Sequence, residues 1–155
     1  MMSYNPIFMK LAIEQAKKAS LSNEVPVGAI IVKKNKVIGF GRNKVISKKS
    51  VSAHAEILAI NRAAIFLKNY RLLDCEMYLT LEPCHMCAKA IVDARISNLY
   101  FGAYEPKTGS VSSIDNFLDK LHLNHTVSYC GGYMQDESAK LLKEFFDSKR
   151  KKKIS

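Results

Sequence analysis

Glu76-Met-Tyr-Leu-Thr-Leu-Glu-Pro-Cys-His-Met-Cys-Ala-Lys-Ala-Ile-Val-Asp-Ala-Arg-Ile-Ser-Asn-Leu-Tyr-Phe101 is the stretch that decides the fold. Glu76 to Leu81 is apolar, β-prone and bounded by Pro83, which predicts a strand. Cys84 to Arg95 reads as a helix and Ser97 to Phe101 as the next strand. Upstream, Ala53 to Leu67 carries Ile57, Leu58, Ile60, Ala64 and Ile65 at helical spacing. Pro26 to Val32 and Lys36 to Phe40 flank the polar Lys33-Lys34-Asn35 and predict a hairpin, followed by a polar loop from Gly41 to Ser52. Asn5-Pro6 opens a first helix through Ile7, Leu11, Ala12 and Ala16, ending near Lys18. Downstream come a short helix over Ile114 to Leu121, a strand over Thr126 to Cys130, a turn at Gly131-Gly132 and a final helix from Met134 to Arg150. The order α-β-β-α-β-α-β-α-β-α places the chain in the α/β class, with a sheet of about five strands and helices on its faces. Strand order does not follow from this pattern.

Length and composition agree with one such domain. The chain has 155 residues, 48% of them hydrophobic and 25% charged, with seven Gly and four Pro. A chain this long buries about 70% of its unfolded surface, which excludes a disordered or fibrous protein. There is no internal repeat or dividing linker, so residues 1–148 read as a single domain and 149–155 as a basic tail. No apolar run approaches the ~18 residues of a membrane span. Met1 to Lys10 also lacks the basic and apolar regions of a secretion signal. The expected location is the cytoplasm, and the four cysteines are expected as reduced thiols, metal ligands or redox catalysts.

Charge is distributed unevenly. Residues 1–70 hold twelve Lys and Arg against three acids, residues 71–148 hold seven against eleven, and Lys149-Arg150-Lys151-Lys152-Lys153 closes the chain, for a net charge of +10. Such a field favours polyanions by displacing the counterions condensed on phosphates, although a soluble basic surface would look the same.

Four residues carry the chemistry: His54 and Glu56 in Ala53-His-Ala-Glu56, and Cys84 and Cys87 in Pro83-Cys-His-Met-Cys87. Cys84 and Cys87 are three apart, on one helix face near its first turn. There the free N–H groups and the helix dipole favour thiolate. Two thiolates and one imidazole give a tetrahedral zinc three protein ligands and one open position, the catalytic arrangement. His54 and Glu56 stand about 200° apart around a helix. They can share a site only off the helix end, which puts the metal between two helix N-termini. Glu56 then lies beside the metal without binding it and is placed to move protons. Zinc neutralised by two thiolates is a weaker Lewis acid, so a carboxylate shuttle matters more.

A lone Cys-x2-Cys after a strand could equally be a thioredoxin-like redox pair. His-x-Glu followed by Pro-Cys-x2-Cys in strand–helix context is the pattern of zinc nucleobase deaminases. His85 reads as a packing or surface residue, His122 and His125 as solvated, and Cys75 and Cys130 as isolated buried thiols.

The chain resembles the bacterial tRNA-specific adenosine deaminases, the TadA family of the cytidine-deaminase-like superfamily. Besides the catalytic motif, the likeness rests on Glu24-Val-Pro-Val-Gly-Ala29, Asn43, Asn69-Tyr-Arg-Leu72, Thr80-Leu-Glu-Pro-Cys84, Lys107-Thr-Gly109, Leu141-Leu142 and Phe145-Phe146. It implies a three-layer α/β/α domain with a mixed sheet of about five strands. It also implies one Zn2+ per subunit on His54, Cys84 and Cys87, Glu56 as proton shuttle, and Asn43 bonded to the purine. The implied reaction is hydrolytic deamination of the wobble adenosine, in an arginine tRNA anticodon, to inosine by attack at C6. The implied assembly is a homodimer on a tRNA anticodon stem-loop, with no DNA or membrane partner. Glu105, Lys107, Phe145, Phe146 and Arg150 would meet the anticodon loop, with one phenylalanine packing and the other facing RNA. Glu105 stands where many relatives carry aspartate, which bears on sequence context and not on the chemistry. The competing readings are a deaminase of free cytidine, guanine or a nucleotide, a thiol–disulfide oxidoreductase using Cys84 and Cys87, and a non-enzymatic RNA-binding module with structural zinc.

Overall fold

The computed structural model describes residues 3–154. In chain order the elements are α1 (Pro6–Leu21), β1 (Gly28–Lys33), β2 (Lys36–Arg42), α2 (Ala55–Leu67), β3 (Cys75–Leu81), α3 (His85–Asp93), β4 (Asn98–Ala103), β5 (Ser128–Cys130) and α4 (Gln135–Ile154). The strands form one mixed sheet in the order β2-β1-β3-β4-β5. β1 is antiparallel to both β2 and β3, whereas β3–β4 and β4–β5 are parallel. Each parallel connection crosses over through other structure, as parallel pairing requires.

Side-chain alternation along the strands separates two cores. Ala29, Ile31, Met77, Leu79, Leu99 and Phe101 point to the side covered by α2 and α3. Ile30, Val32, Tyr78 and Tyr100 point to the other side, where α1 supplies Phe8, Met9, Ala12 and Ile13 and α4 supplies Leu141. Three layers result, with the sheet in the middle. Among the described residues, no helix is long and apolar enough to cross a membrane.

The seat of α2 on the sheet is made by small residues. A Cβ on Gly41 would lie 2.3 Å from the Ala55 carbonyl oxygen and 2.7 Å from the Ala59 nitrogen, and one on Gly39 would lie 2.6 Å from the Ala59 carbonyl oxygen. Ala55, Ala59 and Ala63, four residues apart, are fully buried on that face. Backbone therefore packs on backbone, and the first turn of α2 has one possible height above the sheet.

Two buried carboxylates fasten the loops that leave the sheet. Glu24 accepts from the Ile46 N–H at 3.0 Å and the Ser47 N–H at 2.8 Å, which pins the polar loop after β2. Glu82 accepts from the backbone of Glu105, Val111, Ser112 and Ser113. Burial opposes ionisation of both, yet the donated hydrogen bonds outweigh it and hold each carboxyl below its usual range.

Four details differ from the sequence reading. The helix expected over Ile114 to Leu121 is a single 3-10 turn, Phe117–Asp119. Upstream N–H groups are already committed to Glu82, and the Ile114 N–H closes a turn on the Gly109 carbonyl. α4 continues through Ile154, so the basic run 149–153 extends the helix; Lys140–Glu144 and Lys143–Asp147 pairs support its exposed face. His125 is not merely solvated, because its Nε2 lies 2.7 Å from the Ile96 carbonyl oxygen. Cys75 is buried as expected, whereas Cys130 is exposed at the short last strand.

Two outcomes follow from this packing. Gly41→Ala should cost about 1–3 kcal/mol of stability through overpacking under α2, seen as a fall of several degrees in Tm. The depressed carboxyl of Glu24 contributes stability that is present above its unfolded value of about 4.3 and is lost as pH falls through the lower folded value. Glu24→Gln should therefore be less stable than wild type in urea at pH 7, with the gap closing as the buffer is taken below about pH 4.

Candidate active site

The N-termini of α2 and α3 converge, and each is capped in an unusual way. His54 is the N-cap of α2 and Cys84 the N-cap of α3, both extended, and neither side chain makes a capping bond of the usual kind. Helix N-caps ordinarily spend a Ser, Thr, Asp or Asn oxygen on the free N–H groups of the first turn. At α2 that duty passes to Asn43, whose Oδ1 accepts from the Ala55 N–H at 2.8 Å. His54 and Cys84 are left free to face each other.

The His54 Nδ1 lies 3.7 Å from the Cys84 sulfur and 3.4 Å from the Cys87 sulfur. All three donor atoms lie within 4.8 Å of one another, and among the described residues they form the one His/Cys/Asp/Glu group that could hold a metal ion. Two thiols and an imidazole are soft and borderline donors, suited to a thiophilic cation. The Cys84 thiol is pulled down to about 4, first by the bond it accepts from the Cys87 thiol and then by His54. Cys87, donating that bond and buried, is held far above the ordinary thiol range, and the bond to Cys84 raises His54. Cys84 thus stands ready as a thiolate at a helix N-terminus.

Glu56 sits in the first turn of α2 and is 4% exposed. Burial raises its carboxyl above the usual range, opposed by its own backbone N–H and the charge of His54. A carboxyl raised toward neutrality is suited to taking and returning a proton.

These groups open into a pocket of about 190 Å3 lined by Val25, Val27, Asn43, His54, Glu56, Leu81, Glu82, Cys84, Glu105 and Thr108. Its position off the end of β3 is where open α/β sheets hold ligands. With Oδ1 spent on α2, Asn43 presents its amide N–H groups as the polar handle on one wall.

A second groove of about 420 Å3 shares Glu105 with the pocket and adds Lys107, Leu142, Lys143, Phe146 and Arg150. The structure thus brings Glu105, Lys107, Phe146 and Arg150 together. Phe145 meets Phe146 edge to face, with ring centroids 5.4 Å apart, but lines a different groove beside Leu21 and Asn23, under the ammonium of Lys149, 5.4 Å above its ring. Adjacent residues on a helix diverge by about 100°, so only one phenylalanine can face the pocket side. His85 is tied to Ser110, with Nδ1 3.0 Å from the hydroxyl, and its ring packs against Phe117.

Sequence reasoning passed over Glu24, Glu82 and Thr108. The first two lie inside the segments Glu24 to Ala29 and Thr80 to Cys84, and the signal available was a single acid in an otherwise apolar run.

Comparison with known proteins agrees with this geometry. The MafB19-like deaminase family matches residues 2–150. A tRNA-specific adenosine deaminase of Aquifex aeolicus is 46% identical over 143 residues, covering 92% of this chain and 94% of that protein. One from Haemophilus influenzae is 42% identical over 146 residues, covering 94% and 84%. A solved tRNA deaminase, studied for A-to-I editing at the wobble position, superposes with a TM-score of 0.87 at 40% identity, covering 89% of this chain and all of that one. A converging His/Cys/Cys donor set, a buried carboxyl beside it and likeness along almost the entire chain lead to one conclusion: this enzyme belongs to the MafB19-like deaminases and, within their range, to the tRNA-specific adenosine deaminases.

Proposed function

We propose that the chain deaminates the wobble adenosine of an arginine tRNA anticodon to inosine, as a zinc-dependent homodimer in the cytoplasm. The observation that carries this reading is the meeting of His54, Cys84 and Cys87 at two helix N-termini beside the buried Glu56 carboxyl. The donor set fits zinc in ligand type and number, with His54, Cys84 and Cys87 as its ligands. Zinc bound there supplies Lewis-acid activation of a water molecule.

The chain's own residues do the rest. Glu56 takes a proton from the attacking water and delivers it to N1 of adenine while C6 is attacked. It then carries a proton to the exocyclic amine, and ammonia leaves. Val25, Val27 and Leu81 give the base apolar walls, and the Asn43 amide fixes its orientation. A pocket of this size takes one base and not a stacked one, so the adenosine has to be splayed from its loop. The adjoining groove supports a second role for the protein surface: Phe146 is a platform for a neighbouring base, and Lys107, Lys143 and Arg150 are cations for phosphates. Glu105 borders both spaces and is placed to read the nucleotide next to the target. Self-association is supported by exposed Ile65, Phe66, Tyr70 and Leu73 following one another from the end of α2, an apolar strip of the kind that marks interfaces.

The direct test incubates purified protein with an arginine-tRNA anticodon stem-loop and reads inosine by nucleoside analysis. Inosine at the wobble position alone is expected; an untouched stem-loop would overturn the substrate. Glu56→Gln should keep one zinc per chain and lose at least 100-fold in turnover, whereas His54→Ala and Cys87→Ala should lose metal and activity together, measured by elemental analysis. Replacing Lys149, Arg150, Lys151, Lys152 and Lys153 by Gln should flatten the dependence of stem-loop affinity on salt, and an unchanged slope would remove this segment from the RNA contact.

A further inference from the structure

Glu82 is 2% exposed and lies two residues before Cys84, yet it stands outside the His54, Cys84 and Cys87 donor group and has no place among the proton-transfer steps. All of its capacity is spent on one loop. Oε1 accepts from the Glu105 N–H at 3.0 Å and from the Ser113 hydroxyl; Oε2 accepts from the N–H groups of Val111, Ser112 and Ser113 at 3.1, 2.7 and 2.9 Å. Five donors converge on one carboxylate, as in an anion-binding nest, but the anion belongs to the chain itself.

The loop is fastened to the same short segment twice more. The Ser110 N–H donates to the Pro83 carbonyl at 2.9 Å, and the Ser110 hydroxyl joins His85 to Asp115, at 3.0 and 2.6 Å. Residues 82, 83 and 85 thus hold one loop from both sides of Cys84. Gly109 completes the cradle, since a Cβ there would lie 2.4 Å from the Glu82 carboxyl and 2.6 Å from the Glu105 carbonyl oxygen. The loop so held carries Glu105, Lys107 and Thr108, which border the pocket or the adjoining groove. Lys107 is in turn registered by its N–H, which donates to the Glu105 side chain at 3.0 Å.

We propose that Glu82 is a positioning residue for substrate selection: its carboxylate locks the RNA-facing loop 105–113 to the segment that presents Cys84, so that the groove for the neighbouring nucleotides and the reacting centre keep a fixed separation. This rests on the wobble-adenosine reading and adds to it the element that sets the register between base and backbone. A stem-loop that enters the groove is then already aligned with the pocket. Loosening the loop disturbs alignment of the RNA more than the proton transfers at Glu56, which sits on the opposite helix.

The test is Glu82→Gln, which turns one acceptor oxygen into a donor facing N–H groups. With the anticodon stem-loop as substrate, KM should rise tenfold or more and kcat fall by less than threefold, with one zinc per chain retained. Ser113→Ala, which removes a single donor and leaves the fold least disturbed, should raise KM two- to fivefold; it decides the matter if the Gln variant does not fold. An unchanged KM in either folded, zinc-loaded variant, or a loss confined to kcat, overturns the role assigned to Glu82 while the function stands. A wild-type protein that leaves the stem-loop unedited overturns the function, and this inference falls with it.

Discussion

The close approach of α2 to β2 is the constraint on which the rest depends. Without side chains at Gly39 and Gly41, the helix axis settles against the strand backbone, and Ala55, Ala59 and Ala63 fill what little space remains. Helix packing at such distance tolerates no intermediate position, because interiors are packed to crystal-like density. His54, directly before Ala55, therefore arrives beside the sulfurs of Cys84 and Cys87 as a consequence of backbone contact along the helix it opens. The Asn43 bond to the first N–H of α2 then fixes rotation of the helix end as packing fixes its height. Function at this site begins with residues that have no functional groups.

Two kinds of acid placed at helix N-termini here end in opposite states. The dipole and free N–H groups favour thiolate and carboxylate alike, so both Cys84 and Glu56 should be driven toward ionisation. Burial opposes this and is far stronger at Glu56, which is enclosed, than at half-buried Cys84. With the Cys87 thiol and then His54 bonded to Cys84, the result is a thiol drawn down to about 4 beside a carboxyl that burial pushes up. Environments that drive neighbouring acids apart are a recurrent way of assigning different tasks to groups of similar charge. In the zinc-deaminase reading Cys84 would serve as a ligand donor and Glu56 as a proton carrier, two acids that line one pocket and are held in opposite states.

Much of this was legible in the sequence, for reasons of period and spacing. Strands β1, β3 and β4 and helices α1, α2 and α3 announce themselves through apolar repetition, and the 54/56 spacing of His and Glu already demanded a site off a helix end. Two kinds of information were absent. Strand order depends on which edges meet, and nothing in the composition of Ser128–Cys130 says that it lies parallel beside β4. The expected helix over Ile114 to Leu121 is a single turn instead because the segment before it is organised by a distant carboxylate; the spacing there is helical, yet the preceding donors belong to Glu82. The resemblance to a known family named the site residues but could not choose between Phe145 and Phe146, which depends on how α4 is rotated over the sheet.

The distribution of charge bears on how such a protein would tell one nucleotide from many. Lys and Arg contacts to phosphate are blind to sequence and supply affinity and orientation. In the RNA-editing reading the excess of base in residues 1–70, and again in 149–153, would be of that kind. Discrimination has to arise where bases are touched, and two adjoining spaces among the described residues are placed for it: the pocket of about 190 Å3 and the groove of about 420 Å3 that shares Glu105 with it. Both are walled in part by the loop that Glu82 holds. In the RNA-editing reading, selectivity is thus a matter of distance between two spaces, and a buried carboxylate with five donors is a stiffer ruler than any salt bridge on the surface could be.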